Sequence, residues 1–318
     1  MKAALLFALT LGAAAPALAQ DAAQSQPQQQ PQQQPVSRFA AAIAPAERFE
    51  LKGMLVERHG SGARPLILIP GLSSGAWVWQ ETVRELAGAH TIYVVTLPGF
   101  DGRPALEGDP FDNAKSALAE LIAARRLAKP VLVGHSLGAT LSIALAQELP
   151  DALGGVVAID GLLVFPRTED MPPEQRPAMA EAVRRQMAAA AGPAFAAQQR
   201  QYMRTIGLVD MGKADDVAML TSRSDPIAVA GYAASVMARD LRPGLPKIRV
   251  PVLVLAPTYG PDAALTGMSG SEKVAYYREL MTGTLKLDVK PIDNARHFAM
   301  LDQPRAVNDA LRQFLNNL

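Results

Sequence analysis

The chain has 318 residues, 49% hydrophobic and 19% charged, enough for one sizeable core with an insertion. Its formal net charge of +1 argues against a nucleic-acid binder, because neutralising phosphates takes a surplus of Lys and Arg. The absence of cysteine excludes disulfides, thiol nucleophiles, cysteine metal sites and a lipid-bearing cysteine.

Met1 to Ala19 has the pattern of a secretory signal: Lys2 as the basic start, an apolar run from Ala3 to Ala15, and Ala17-Leu18-Ala19 as a cleavage site. The apolar run is shorter than the roughly 20 residues that a membrane span needs. Cleavage before Gln20, export to a bacterial periplasm or beyond, and no integral membrane span in the mature chain are expected. Residues 20–36 are rich in Gln and Pro and bury almost nothing apolar, so they are expected to be a disordered spacer.

The core is expected to open with a strand from Phe49 to Glu57, followed by a turn at His59-Gly60-Ser61-Gly62. Leu66 to Ile69 and Thr91 to Val95 are continuous apolar runs of the kind that form buried parallel strands. A helix is predicted through Val83 and Leu86, and another within Phe111 to Leu127. Trp77 and Trp79 are expected to pack in the core. The next run, Val131-Leu132-Val133, enters Gly134-His135-Ser136-Leu137-Gly138 and then an apolar helix through Leu141, Ile143 and Leu145. Strand, glycine-flanked turn and helix are the setting in which a serine is held strained and exposed as a nucleophile. Gly155 to Ile159 is a further strand, ending at Asp160.

Strands alternating with helices imply an α/β fold: a mostly parallel central sheet with helices on both faces. The next sheet-like run, Val252 to Leu255, comes only after about ninety residues, too many for a loop. Helices are predicted there over Arg176–Ala191, Ala194–Met203, Ala214–Thr221 and Pro226–Arg239, the last capped by Asp225 with Pro226 at its first position. The expected division is a core of residues 37–160 and 246–318 with a helical cap at 161–245. The Arg184-Arg185 pair is expected on a solvated face, and Met171, Met179, Met187 and Met203 in helix packing. A last strand is predicted at Leu285–Val289.

A reactive serine needs an imidazole to take its proton and a carboxylate to orient the imidazole. Of four histidines, His59 sits at a turn, His90 between helix and strand, and His135 beside the serine with its side chain directed elsewhere. His297, late in the chain, remains. No two histidines share the helical spacing of a metal site, so no metal or cofactor is expected.

Pro70-Gly71-Leu72, Leu97-Pro98-Gly99-Phe100 and Gly134 to Gly138 together resemble the α/β-hydrolase family, as does the segment from His297-Phe298 to Gln303-Pro304. The resemblance implies that the backbone N–H groups of Leu72 and Leu137 form an oxyanion hole, each such donor being worth about 3–4 kcal/mol. It also implies a cap that shapes the substrate pocket. Pro70 stands where the family usually has histidine. By family habit the acid follows the strand of Val252–Leu255, where Asp262 is expected to fill the role, with Asp160 as the alternative and Asp293 on the surface. The expected activity is hydrolysis of an ester, thioester or lactone of a small molecule through an acyl-serine. C–C or amide hydrolysis on the same residues is an alternative, as is a binding protein that kept the fold without turnover. Serine at the elbow argues against dehalogenases and epoxide hydrolases, which use aspartate there. Oligomeric state is not legible.

Overall fold

The apolar runs pair into one eight-stranded sheet in the order β1-β2-β4-β3-β5-β6-β7-β8. Its strands are β1 (Glu47–Leu51), β2 (Met54–His59), β3 (Pro65–Ile69), β4 (Thr91–Thr96), β5 (Val131–His135), β6 (Gly155–Ile159), β7 (Val252–Thr258) and β8 (Leu287–Asp293). β2 runs antiparallel to β1 and β4, and every other pairing is parallel. The computed structural model describes residues 39, 43–263 and 267–318, so the expected leader and spacer lie outside the described residues. No helix among the described residues is long and apolar enough to cross a membrane.

The central strands β3 and β5–β7 are buried along their whole length, as their uninterrupted apolar sequences require. Alternate side chains feed two cores. Ile67, Leu132, Val156 and Val254 pack on one face with helices α2 (Pro110–Ala124) and α3 (Leu137–Glu148). Leu66, Val133, Val157 and Leu253 pack on the other with α1 (Gln80–Leu86) and the last helix. Trp77 and Trp79 lie in this second core.

Two strand expectations need correction. Phe49–Glu57 is not one strand but the hairpin β1–β2, because Lys52 and Gly53 both take positive φ (47° and 72°), the geometry of a tight two-residue hairpin turn. The last strand runs later than predicted, over Leu287–Asp293. It is an edge strand, where Pro291 is tolerated without a ladder donor.

Between β6 and β7 the chain forms α4 (Arg176–Ala188), α5 (Pro193–Tyr202), a π-helical turn (Met203–Gly207), α6 (Met211–Thr221) and α7 (Pro226–Met237). Asp225 caps α7 by accepting from the N–H groups of Ile227 and Ala228. Arg184 and Arg185 both face Glu181 on the exposed side of α4. After β7 follow α8 (Gly270–Leu280), the short α9 (Ala299–Asp302) and α10 (Pro304–Asn316), which buries Val307, Leu311 and Leu315 at four-residue spacing.

The close seating of α3 against the end of β3 depends on Gly138. A Cβ there would stand 2.2 Å from the carbonyl oxygen of Ile69 and 2.7 Å from its carbon, both backbone atoms that cannot move aside. Gly138→Ala is therefore expected to cost about 1–3 kcal/mol of stability through overpacking, read as a lower urea midpoint with an unchanged slope.

His135, at the end of β5, is fully buried. Burial first, then the neighbouring His297, push its imidazole well below the ordinary 6.5, against the pull of Asp160. The unfolded chain takes up this proton below about pH 6.5 and the folded chain does not, so stability falls on acidification. Burial lowers His59 and His90 in the same direction. From pH 7.5 to 5.5 the urea midpoint should drop, with His135 contributing up to about 1.4 kcal/mol per pH unit below its unfolded value. His135→Gln should flatten that slope, and an unchanged slope would show that His135 titrates normally in the folded chain.

Candidate active site

All six sequence-predicted residues follow the C-terminal ends of parallel strands, where open α/β sheets present their loops, Asp262 after β7 among them. Leu72 follows β3, Ser136 and Leu137 follow β5, Asp160 follows β6, and His297 follows β8. Leu72, Ser136, Leu137 and His297 line one cavity of about 180 Å³ between the sheet and the inserted helices. The insertion contributes, among others, Val183 and Met187 from α4, Tyr202 from α5, Met203 and Ile206 from the π turn, and Val236 from α7. Met187 and Met203 thus face the cavity, beyond the simple helix packing expected for them.

Ser136 carries φ 52° and ψ −117° at the junction of β5 and α3, a conformation that a non-glycine residue holds only where its surroundings impose it. Its N–H donates to the carbonyl of Ile159, and its own carbonyl accepts from the N–H groups of Ala139 and Thr140. Leu137 opens α3, so its N–H belongs to the first turn, which has no intrahelical acceptor. On the facing loop a Cβ at Gly71 would lie 2.6 Å from His135 Nδ1 and 3.2 Å from the Ser136 Cβ. Only glycine lets this loop run so close to the elbow, and Leu72 comes next. Ser73 then takes φ 59°, with its carbonyl accepting from the hydroxyl of Ser224, which comes from the insertion.

The structure puts Asp160, not Asp262, against the histidine. Nδ1 of His297 is 2.7 Å from Asp160 Oδ2, while Oδ1 accepts from the Tyr277 hydroxyl at 2.7 Å and lies 3.0 Å from Lys273 Nζ. Burial alone would raise the Asp160 carboxyl. The Lys273 charge and the hydrogen bonds from His297 and Tyr277 outweigh it and hold the group well below the usual carboxylate range. An ionised carboxylate only accepts, so the Nδ1 of His297 carries the proton and, in the neutral ring, Nε2 is left as the acceptor. Lys273 and Tyr277 stand four residues apart on α8 and were not singled out from sequence. Their i, i+4 spacing is the signal that was there to be read.

Asp262 lies past the end of β7, in a short turn over Gly260–Asp262. Its carboxylate takes a two-pronged pair from Arg296, at 2.7 and 2.8 Å. Arg296 Nη1 also donates to the carbonyls of Arg204 (3.0 Å) and Leu208 (3.1 Å), at the π turn. The two following N–H groups continue the contact: His297 donates to Ile206 and Phe298 to Gly207. Asp302 accepts from the N–H groups of both Arg296 and Val209. The histidine loop is thus tied to the insertion by its backbone on both sides of His297. A π turn shifts carbonyls out of the regular ladder, which frees them for such contacts. Asp293, expected at the surface, is exposed and accepts from the Thr258 hydroxyl.

His135 donates from Nε2 to the carbonyl of His297 at 2.9 Å. Its ring lies 4.6 Å from that of His297 and 4.7 Å from that of Phe298. It therefore supports the histidine loop from below, a role that sequence reasoning did not assign. Among the described residues, no group of three or more His, Asp or Glu side chains could hold a metal ion.

Residues 66–310 match the model of the alpha/beta hydrolase family. A pimeloyl-[acyl-carrier protein] methyl ester esterase of Aeromonas salmonicida is 32% identical over 117 residues, 37% of this chain and 45% of that protein. The biotin biosynthesis bifunctional protein BioHC of Cellvibrio japonicus is 31% identical over 156 residues, 49% of this chain and 29% of that protein. The chain therefore spans less than half the length of these curated relatives. A thermophilic esterase from Thermogutta terrifontis superposes with a TM-score of 0.66 at 24% identity, covering 86% of this chain and 99% of that one, a likeness of fold. With the family model spanning most of the chain and the elbow, sheet order and loops in the matching places, this protein belongs to the alpha/beta hydrolase family.

Proposed function

We propose that the chain is an exported serine hydrolase that cleaves a carboxylic ester of a small molecule through an acyl-serine intermediate. One observation carries the proposal: a buried carboxylate fixes the tautomer of His297 at the wall of the cavity that also holds the strained Ser136. In this mechanism the Ser136 hydroxyl attacks the ester carbonyl while His297 Nε2 takes its proton. The N–H groups of Leu72 and Leu137 receive the negative oxygen, aided by the dipole of α3. The tetrahedral species collapses, His297 protonates the departing alcohol, and the acyl group stays on Ser136. Water, deprotonated by the same imidazole, then releases the acid. Asp160 keeps the imidazole oriented and stabilises it when it is charged. Thioesters and lactones undergo the same steps with a different leaving group. Export rests on the composition of Met1 to Ala19.

Pro70 in place of histidine leaves the donor geometry to the backbone of the following residues, so it does not by itself favour a binding protein without turnover. A fluorophosphonate separates the two readings: the wild-type chain should be labelled at Ser136 and Ser136→Ala should not. An unreactive Ser136 in a folded chain would favour the binding reading.

Asp160→Asn should lower kcat by about 10⁴-fold, because the amide cannot hold the required tautomer. Asp262→Asn should lower it by no more than about 100-fold, since its effect reaches the imidazole only through Arg296. A larger loss from Asp262→Asn than from Asp160→Asn would return the acid role to Asp262.

A further inference from the structure

Resting on the hydrolase reading above, we infer that the substrate's acyl group is uncharged, and that a free carboxylate on it is rejected by the cavity itself. None of the described residues lining the cavity is Asp, Glu, Lys or Arg. Several arginines of the insertion are engaged elsewhere. Arg184 pairs with Glu181, Arg200 and Arg204 with Asp215, and Arg242 with Asp240. At the reacting end, the formal charge behind His297 is the Asp160 carboxylate, of the same sign as a substrate carboxylate. Lys273 is already spent on that group.

The cavity does hold unpartnered polar groups, and all are neutral dipoles. Ser73, Tyr232 and His135 are among the lining residues, each at most 2% exposed, and their hydroxyls and the His135 Nδ1 have no hydrogen-bond partner. The two hydroxyls can donate to an uncharged oxygen of a bound ester, whereas the unprotonated Nδ1 of His135 can only accept. These groups do not offset the loss of hydration of a full negative charge, which needs a paired cation. The rest of the wall is uncharged, with aliphatic and thioether groups such as Val183, Met187 and Val236, the ring of Phe165, and the neutral amides of Gln198 and Gln199. Long-range repulsion cannot produce the same selectivity, because the chain's net charge is +1.

The test compares two esters of nearly equal length, p-nitrophenyl pentanoate and mono-p-nitrophenyl glutarate, which differ at the acyl terminus by a methyl group against a carboxylate. At pH 7.5 the full chain should show a kcat/KM at least 100-fold higher for the pentanoate. A ratio below tenfold, with both esters hydrolysed, would overturn the inference and leave the hydrolase reading intact. Failure to turn over either ester, with Ser136 also unreactive to a fluorophosphonate, would remove the hydrolase reading and this inference with it. As a second readout, Val236→Lys places an ammonium on the cavity wall and should raise the glutarate-to-pentanoate ratio by at least tenfold. An unchanged ratio in that variant would mean that charge pairing does not set the preference.

Discussion

A carboxylate at the end of β6 has to be buried and charged at once, and the candidate site is built around that constraint. Asp160 is 8% exposed, and a lone ionised carboxyl in such a place would protonate. Three groups prevent it. Lys273 and Tyr277 come from one face of α8, and His297 comes from the loop after β8. Each arrives from a segment more than a hundred residues along the chain, so the carboxylate is satisfied only when β6, β7, α8 and β8 are all in register. The chemical consequence is local. An acceptor with no proton to give forces the imidazole to donate through Nδ1, which determines which nitrogen can work as a base.

The position of that imidazole depends on the insertion as much as on the sheet. The backbone of Arg296, His297 and Phe298 does not merely pass under the inserted helices; it hydrogen-bonds to the π turn and to Asp302. Arg296 spans the junction, with Asp262 from the core holding one side of its guanidinium and two carbonyls from the insertion receiving the other. A planar fork suits this task, because one side chain can satisfy a carboxylate and backbone carbonyls in fixed directions. Movement of the insertion away from the sheet would break these bonds and shift His297. The placement of the insertion and that of the histidine are thus coupled through these bonds, and the carboxylate that the family resemblance favours as the triad acid serves this junction.

Much of the fold is legible because its signals are local. Apolar runs such as Leu66–Ile69 and Val131–Val133, short, β-branched and flanked by Pro and Gly, read as buried strands, and the glycines around Ser136 mark the elbow. His297 emerges by elimination among four histidines. The choice between Asp262 and Asp160 is of another kind. Both follow a parallel strand, and what separates them is where Arg296 and Lys273 end up, which no spacing along the chain encodes. The same holds for β1–β2: Phe49 to Glu57 alternates plausibly as one strand, and only the positive φ of Lys52 and Gly53 divides it. The extension of β8 to Asp293 is hidden by Pro291, which argues against a strand everywhere except at an edge.

The distribution of charge in the insertion follows from the same economy of burial. Its helices carry many arginines, and several are held at the surface by acidic partners on neighbouring turns or helices, as with Arg184 on Glu181 and Arg200 on Asp215. Exposed pairs of this sort add little stability. Their effect on the site is subtractive, since each arginine held at the surface is one fewer cation available to an anion in the pocket. What remains inside are aliphatic, aromatic and amide walls with a few hydroxyl and imidazole dipoles, and the ionised Asp160–Lys273 pair lies behind His297. A medium so poor in charge strengthens the interactions that do occur in it, including those between the backbone N–H groups at Leu72 and Leu137 and any negative oxygen formed beside Ser136. The exclusion of charge from the acyl-binding walls and the strength of stabilisation at the reacting carbonyl are therefore two consequences of one arrangement.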